Sequence, residues 1–198
     1  NLTAHKIAPS ISAGCPFVLK PPSLTPISAL KIAEIMAETD LPRGAFSVLP
    51  CPRDLADLLV TDERFKLLSF TGSDAVGWDM KARAGRKKVV LELGGNAAVM
   101  IEPDTEINDA LINRLIGGAY NHAGQVCISV QRILVHQQIY AEVKDKLLAK
   151  LKTIKAADPN LSTTLVGPMI KEDEAKRLKK WLDKAVKKDA KILIGGEL

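Results

Sequence analysis

The chain has 198 residues, 46% of them hydrophobic and 26% charged, with a formal net charge of +5. That length and apolar content suffice for one ordinary core or two small ones, and no run approaches the ~20 apolar residues of a membrane span. The lysines lie mainly beyond residue 140, interleaved with Glu and Asp. The chain's four Phe, two Tyr and two Trp form no stacking pattern, so a solvated helix face is favoured over a nucleic-acid groove. Cys15, Cys51 and Cys127 are widely spaced, odd in number and in no C-x-x-C pair. This argues against a disulfide framework or zinc site and for a reducing compartment. The three histidines, His5, His122 and His136, are scattered and have no ligand cluster around them. The first residues show no signal-peptide pattern, and the expected location is cytoplasmic.

In chain order, Leu2 to Ser12 has helical periodicity, with Pro9 as a possible kink. Gly14 ends it, and Pro16 to Lys20 reads as a short strand. A helix capped by Ser23 or Thr25, with Pro26 in its first turn, is expected to about Thr39. Phe46 to Leu49 is the next strand, Asp54 to Val60 a short helix, and Leu67 to Thr71 a strand. A helix from Ser73 to about Ala84 and a strand from Lys88 to Leu93 follow. Strands alternating with helices at short intervals predict an α/β fold: a partial Rossmann-like parallel sheet with helices on both faces.

The character changes at Gly94-Gly95, and we place a domain boundary there, with units 1–94 and 95–198. Ala97 to Ile101 reads as a strand, Ile107 to Tyr120 as a helix and Arg132 to His136 as a strand. A helix from Ile139 to about Lys152, a loop over Pro159 to Pro168, a basic amphipathic helix over Lys171 to Lys187 and a last strand over Ala190 to Ile194 complete the chain.

Four stretches carry chemistry. In Phe70 to Gly77 (F-T-G-S-D-A-V-G) a strand runs through Thr71 and Gly72 into a helix at Ser73. Such a turn either aims free N–H groups and a positive helix end at an anion, or is a plain turn capped by Ser73. The spacing is not G-x-G-x-x-G. Lys20 ends a strand, where ligands bind in α/β sheets, but it also fits an ordinary surface lysine. Glu92 closes an apolar strand before two glycines. It is either a partly desolvated base or the partner of Lys87 or Lys88. Cys127, in A-G-Q-V-C-I-S, follows a glycine turn after a helix. It is either a small buried hydrophobe or a thiol activated by backbone N–H groups. The five-residue offset of His122 from Cys127 gives no reason to expect a dyad.

The octet, then V-L-E-L-G-G, then A-G-Q-V-C-I-S about 30 residues later, resemble in that order the aldehyde dehydrogenase superfamily. The resemblance covers nearly the whole chain, from N-L-T-A-H-K-I-A-P to V-G-P-M-I and G-G-E. It implies that residues 1–94 are the second half of a dinucleotide-binding domain and 95–198 the first half of a catalytic domain. It further implies NAD or NADP as cofactor, with Lys20, Ser23, Thr71, Gly72, Ser73, Gly77 and Leu93 around it. Many NAD-preferring members carry a glutamate where Ser23 stands, so either dinucleotide is expected. Cys127 is implied as nucleophile and Glu92 as general base, oxidising an aldehyde to an acid through a thiohemiacetal and a thioester. The presence of Glu92 favours hydrolysis over transfer to coenzyme A. The residues around the motifs are similar to a subgroup near the lactaldehyde and non-phosphorylating glyceraldehyde-3-phosphate dehydrogenases.

The chain is far shorter than the family's usual length and reads as an internal fragment. It starts just after the expected position of the family's catalytic asparagine, and the glycines usual after the F-x-V-x-P strand are replaced by Pro50-Cys51-Pro52-Arg53. The resemblance therefore implies a homodimeric or homotetrameric parent acting on a small aldehyde, with no nucleic-acid or membrane partner, and little activity in the piece alone. Two other readings remain: a non-catalytic binding or structural piece of the same fold, and a thiol esterase that needs no cofactor.

Overall fold

A computed structural model describes residues 1–198 as two compact units, Asn1–Leu93 and Gly94–Leu198. The first runs α1 (Ala4–Ser12), β1 (Phe17–Leu19), α2 (Ile27–Ala37), β2 (Phe46–Val48), α3 (Arg53–Thr61), β3 (Leu67–Thr71), α4 (Asp74–Arg83) and β4 (Lys88–Glu92). β1 pairs with β2 and β3 with β4, both parallel, since each pair is joined by a helical crossover rather than a hairpin. Phe17 and Phe46 stack across the first pair with ring centroids 6.1 Å apart. Ile7, Pro21, Ala29, Met36, Val60 and Ala84 are the buried apolar side chains of this unit.

The second unit runs β5 (Ala97–Ile101), α5 (Asp109–Tyr120), a 3-10 turn (Asn121–Gly124), β6 (Val130–Val135), a second 3-10 turn (Gln137–Ile139), α6 (Tyr140–Leu151) and α7 (Glu172–Val186). β5 and β6 are parallel, with a register shift at Ala97/Ala98. Ile101, Leu115 and Val143 form the core where α5 and α6 cover this pair, and Val99, Leu111, Ile133 and Leu147 pack around them. The expected parallel α/β architecture is therefore observed, as three two-stranded pairs.

Local details differ from the sequence reading. Neither Ser23 nor Thr25 caps α2. Pro26 occupies the cap position, and the Ser23 hydroxyl instead accepts a hydrogen bond from Lys20 Nζ at 2.9 Å. Pro9 sits inside α1, yet the helix continues, with Ala13 N–H donating to Pro9 O at 3.0 Å. β6 begins at Val130, two residues before the expected start at Arg132, because its pairing with β5 reaches back to Ala97. The strand expected over Ala190 to Ile194 is absent: a strand needs a partner, and Ile192, Leu193 and Ile194 are exposed and pair with none.

α7 buries no residue. Its charges largely neutralise one another along the helix, through Lys176–Glu172 and Arg177–Glu174 at 2.7 Å each and Lys179–Asp183. The Arg177 guanidinium lies 4.4 Å over the exposed Trp181 ring. No helix is long and apolar enough to cross a membrane.

α5, which leads into the cysteine stretch, starts on Asn108, whose side chain accepts from the Leu111 N–H at 3.0 Å. Asn108→Ala leaves that donor unmet and is expected to lower stability by about 0.5–2 kcal/mol, read as a shifted denaturant midpoint at unchanged slope.

Candidate active site

In the first unit, the parallel register sets Thr71 opposite Glu92 at the C-terminal ends of β3 and β4. One residue on, the Gly72 N–H donates to the Glu92 carbonyl at 3.0 Å, so the glycine turn and the glutamate are bonded to each other. Ser73 is the first residue of the α4 cap, but its side chain makes no capping bond; its carbonyl accepts from Gly77 N–H at 3.0 Å. The first-turn N–H groups of α4 thus lack a side-chain cap, the condition in which a helix start receives an anion. Asp74 places a carboxylate in that same turn.

Gly77 is buried where α4 meets the strands. A Cβ there would lie 2.6 Å from Leu93 Cδ2, 3.4 Å from Phe70 Cδ1 and 3.5 Å from Leu91 Cδ2. The missing side chain lets the helix start settle onto β3 and β4. A Cβ at Gly72 would meet the Phe70 ring at 2.4 Å. At both positions the neighbouring side chains already occupy the space that a Cβ would need, so only glycine lets the turn and the helix start pack this closely on the strand ends.

Lys20 follows β1 directly and is half-buried. Its ammonium donates to Pro21 O at 3.0 Å and to Ser23 Oγ at 2.9 Å, so Lys20 and Ser23 are joined by their side chains. Glu92 is exposed, on the outward alternation of β4 with Lys88 and Val90, and so is not the partly desolvated carboxylate of the first of its two sequence readings. Lys87, one of its two expected partners, donates instead to Ala84 O.

A partner the sequence reading missed is Lys6 of α1. It donates to Ser69 Oγ on β3 at 2.9 Å. Burial pushes its ammonium pKa below the ordinary lysine value, while the Glu92 carboxylate pulls it back up. Its one sequence signal was the apolar setting of a lysine between Ala4 and Ile7, which periodicity alone does not connect to residue 92.

In the second unit the chain leaves α5 through an unusual elbow. His122 (φ 50°, ψ 37°), Ala123 (φ 55°, ψ 33°) and Gly124 (φ 71°) are all left-handed. Each of the two non-glycine residues costs about 1 kcal/mol or more there. Beyond the elbow Cys127 is exposed, not the buried hydrophobe of the alternative reading. Val126 is half-buried, and Ile128 is exposed beside the thiol. Ser129 is buried, its hydroxyl donating to Ala119 O at 3.0 Å and its N–H to Val126 O at 3.0 Å, which draws the cysteine loop back onto the end of α5. The Arg132 guanidinium donates to Asn96 O at 3.0 Å. No three His, Cys, Asp or Glu side chains gather as a metal site.

The aldehyde dehydrogenase family pattern matches residues 1–198, the whole chain. The chain belongs to the aldehyde dehydrogenase family. Among curated relatives, 3-sulfolactaldehyde dehydrogenase of Priestia aryabhattai is 41% identical over 198 residues, all of this chain and 41% of that protein. Among solved structures, aldehyde dehydrogenase 21 from Physcomitrella patens, in complex with the reaction product succinate, superimposes with a TM-score of 0.96 at 52% identity, over 100% of this chain and 41% of that one. Glyceraldehyde-3-phosphate dehydrogenase GapN from Methanocaldococcus jannaschii, complexed with NADP, gives a TM-score of 0.93 at 36% identity, over 100% of this chain and 44% of that one. The chain thus spans about two fifths of the length of the relatives it matches.

Within this family member, the E-L-G-G stretch has a packing reason that the sequence did not reveal. A Cβ on Gly95 would stand 2.3 Å from the Cys127 carbonyl oxygen, a backbone atom that cannot swing aside. Gly94, by contrast, has open space around its Cβ position. Gly95→Ala is therefore expected to destabilise by about 1–3 kcal/mol and Gly94→Ala by well under that, the two compared by thermal or denaturant unfolding.

Proposed function

We propose that the protein oxidises a small aldehyde to its carboxylic acid with NAD or NADP, Cys127 serving as nucleophile and Glu92 as general base. The observation that carries this reading is the bonded pair of strand ends, Gly72 N–H to Glu92 O, which ties a candidate phosphate-receiving turn to a candidate base. Family membership supports the reaction class. The NADP complex of the GapN relative supports the cofactor.

The chain fits a dinucleotide by its own features. Gly72 and Gly77 let the turn and the start of α4 pack closely on the strand ends, the first turn of α4 has N–H groups without a side-chain cap, and Lys20 offers an ammonium held by Ser23. In this reading Thr71, Gly72, Ser73 and Gly77 would hold the phosphates, Lys20 and Ser23 would hold the ribose, and Leu93 would lie beside the nicotinamide. Ser23 carries no charge against a 2′-phosphate, which admits NADP as well as NAD. A bound dinucleotide would supply the hydride acceptor for the oxidation at the aldehyde carbon.

The rest of the chemistry belongs to side chains. The Cys127 thiolate adds to the aldehyde carbon, and its own backbone N–H is one donor to the oxyanion that forms. Glu92 then takes a proton from a water, whose hydroxide attacks the thioester carbonyl and releases the acid and the thiolate. Lys6, half-buried and donating to Ser69 Oγ, lies in the field of the Glu92 carboxylate. Two of the comparison enzymes are named for sulfolactaldehyde and glyceraldehyde-3-phosphate, which supports a small oxygenated aldehyde as substrate. The activity is assigned to a protein of its relatives' length, cytoplasmic and a homodimer or homotetramer. These 198 residues alone are expected to turn over aldehyde far more slowly.

In that protein, Cys127→Ala is expected to abolish aldehyde oxidation. Glu92→Gln is expected to release one equivalent of NAD(P)H in a burst, then to turn over ~10²–10⁴-fold more slowly than the parent, as loss of a general base entails. Rapid mixing with 3-sulfolactaldehyde or glyceraldehyde-3-phosphate tests this. A Glu92→Gln protein with an unchanged steady rate would remove Glu92 from the mechanism. Ester hydrolysis that ignores NAD(P) while aldehyde goes unoxidised would favour a cofactor-free thiol esterase.

A further inference from the structure

The elbow before Cys127 is strained, so something must hold it. Backbone bonds there include Gln125 N–H to His122 O at 3.1 Å and Ser129 N–H to Val126 O at 3.0 Å. The Gln125 side chain adds two more bonds in opposite directions. Its amide nitrogen donates to His122 O at 3.2 Å, inside the elbow. Its amide oxygen accepts the Ile170 N–H at 3.0 Å, from a segment 45 residues later in the chain. The loop just before that segment is closed by the Ala156–Val166 bridge and the Ala157 N–H to Val166 O bond at 3.0 Å. One amide therefore joins the left-handed residues, two positions before the thiol, to a separate loop.

We infer that Gln125 is a positioning residue for Cys127: by bridging His122 O and Ile170 N–H it keeps the His122–Gly124 elbow left-handed and the thiol where that elbow puts it. This rests on Cys127 being the nucleophile. An amide suits the task because it presents a donor and an acceptor on one planar group, which no apolar or singly functional side chain of that length does. Without the bridge, His122 and Ala123 relax toward the ordinary right-handed or extended regions. The thiol then spends less time in its held geometry, and its reactivity falls in proportion to that fraction.

The test uses the chain itself. Alkylation rates by iodoacetamide are mapped at Cys127 and at the exposed Cys15, which serves as internal reference. In Gln125→Met, the Cys127 rate is expected to fall roughly twofold to tenfold, the equilibrium weight of one or two neutral hydrogen bonds, while Cys15 is unchanged. Hydrogen exchange at the Ile170 amide is expected to quicken in parallel. Adding Ala123→Gly is expected to restore the Cys127 rate, because glycine holds the left-handed conformation without the amide's help. A mere loss of folding would not be rescued this way. Selective Cys127 labelling that is unaltered in Gln125→Met, or a double variant as slow as Gln125→Met, overturns the positioning role alone. Cys127 reacting no faster than Cys15 in the unaltered chain overturns the nucleophile reading, and the positioning role with it.

Discussion

The candidate site depends first on a parallel pairing. Because β3 and β4 run in the same direction with Thr71 opposite Glu92, both strands finish together, and the Gly72 N–H closes on the Glu92 carbonyl. Every candidate residue of the first unit except Lys20 and Ser23 lies within two residues of those ends or on the helix that starts there. A one-residue slip in this register would turn Glu92 to the other face and break the bond to the glycine turn. The glycines then act through what they lack: at Gly77 a side chain would wedge α4 away from Leu93, and at Gly72 it would strike Phe70.

The second unit solves a different problem, that of exposing a thiol beside a packed helix end. The chain reverses out of α5 through three left-handed residues and returns into β6, with Ser129 as the buried anchor and Gly95 allowing the cysteine carbonyl to approach. The cost of the elbow sits next to the proposed nucleophile, and functional sites are where backbone strain is commonly stored. The core of Ile101, Leu115 and Val143 holds α5 and β6 firmly enough to bear it.

Much of this was legible in the sequence, for stated reasons. Alternation of short apolar runs with amphipathic stretches gave β1 to β6 and the helices between them, since the two periodicities are read locally. The octet and E-L-G-G marked strand ends because glycine and serine interrupt both periods. What escaped reading was set by contacts distant in sequence. Lys6 meets Ser69 and the field of Glu92 only after α1 docks. Gly95 meets Cys127 only after β5 and β6 pair. Gln125 meets Ile170 only after the chain has returned from α6. The exposure of Glu92 follows the alternation of β4, which turns Lys88, Val90 and Glu92 outward and Val89 and Leu91 inward. The expected strand at Ala190 to Ile194 failed for the converse reason: its local pattern was right, and no partner strand stands beside it.

The proposed function requires both a bound dinucleotide and a reactive Cys127. Mapped iodoacetamide labelling at low dose, with and without NAD or NADP, addresses this requirement directly. The account predicts that either dinucleotide changes the labelling rate of Cys127 and leaves Cys15 and Cys51 as they were. Labelling of all three cysteines that is indifferent to both dinucleotides would contradict it.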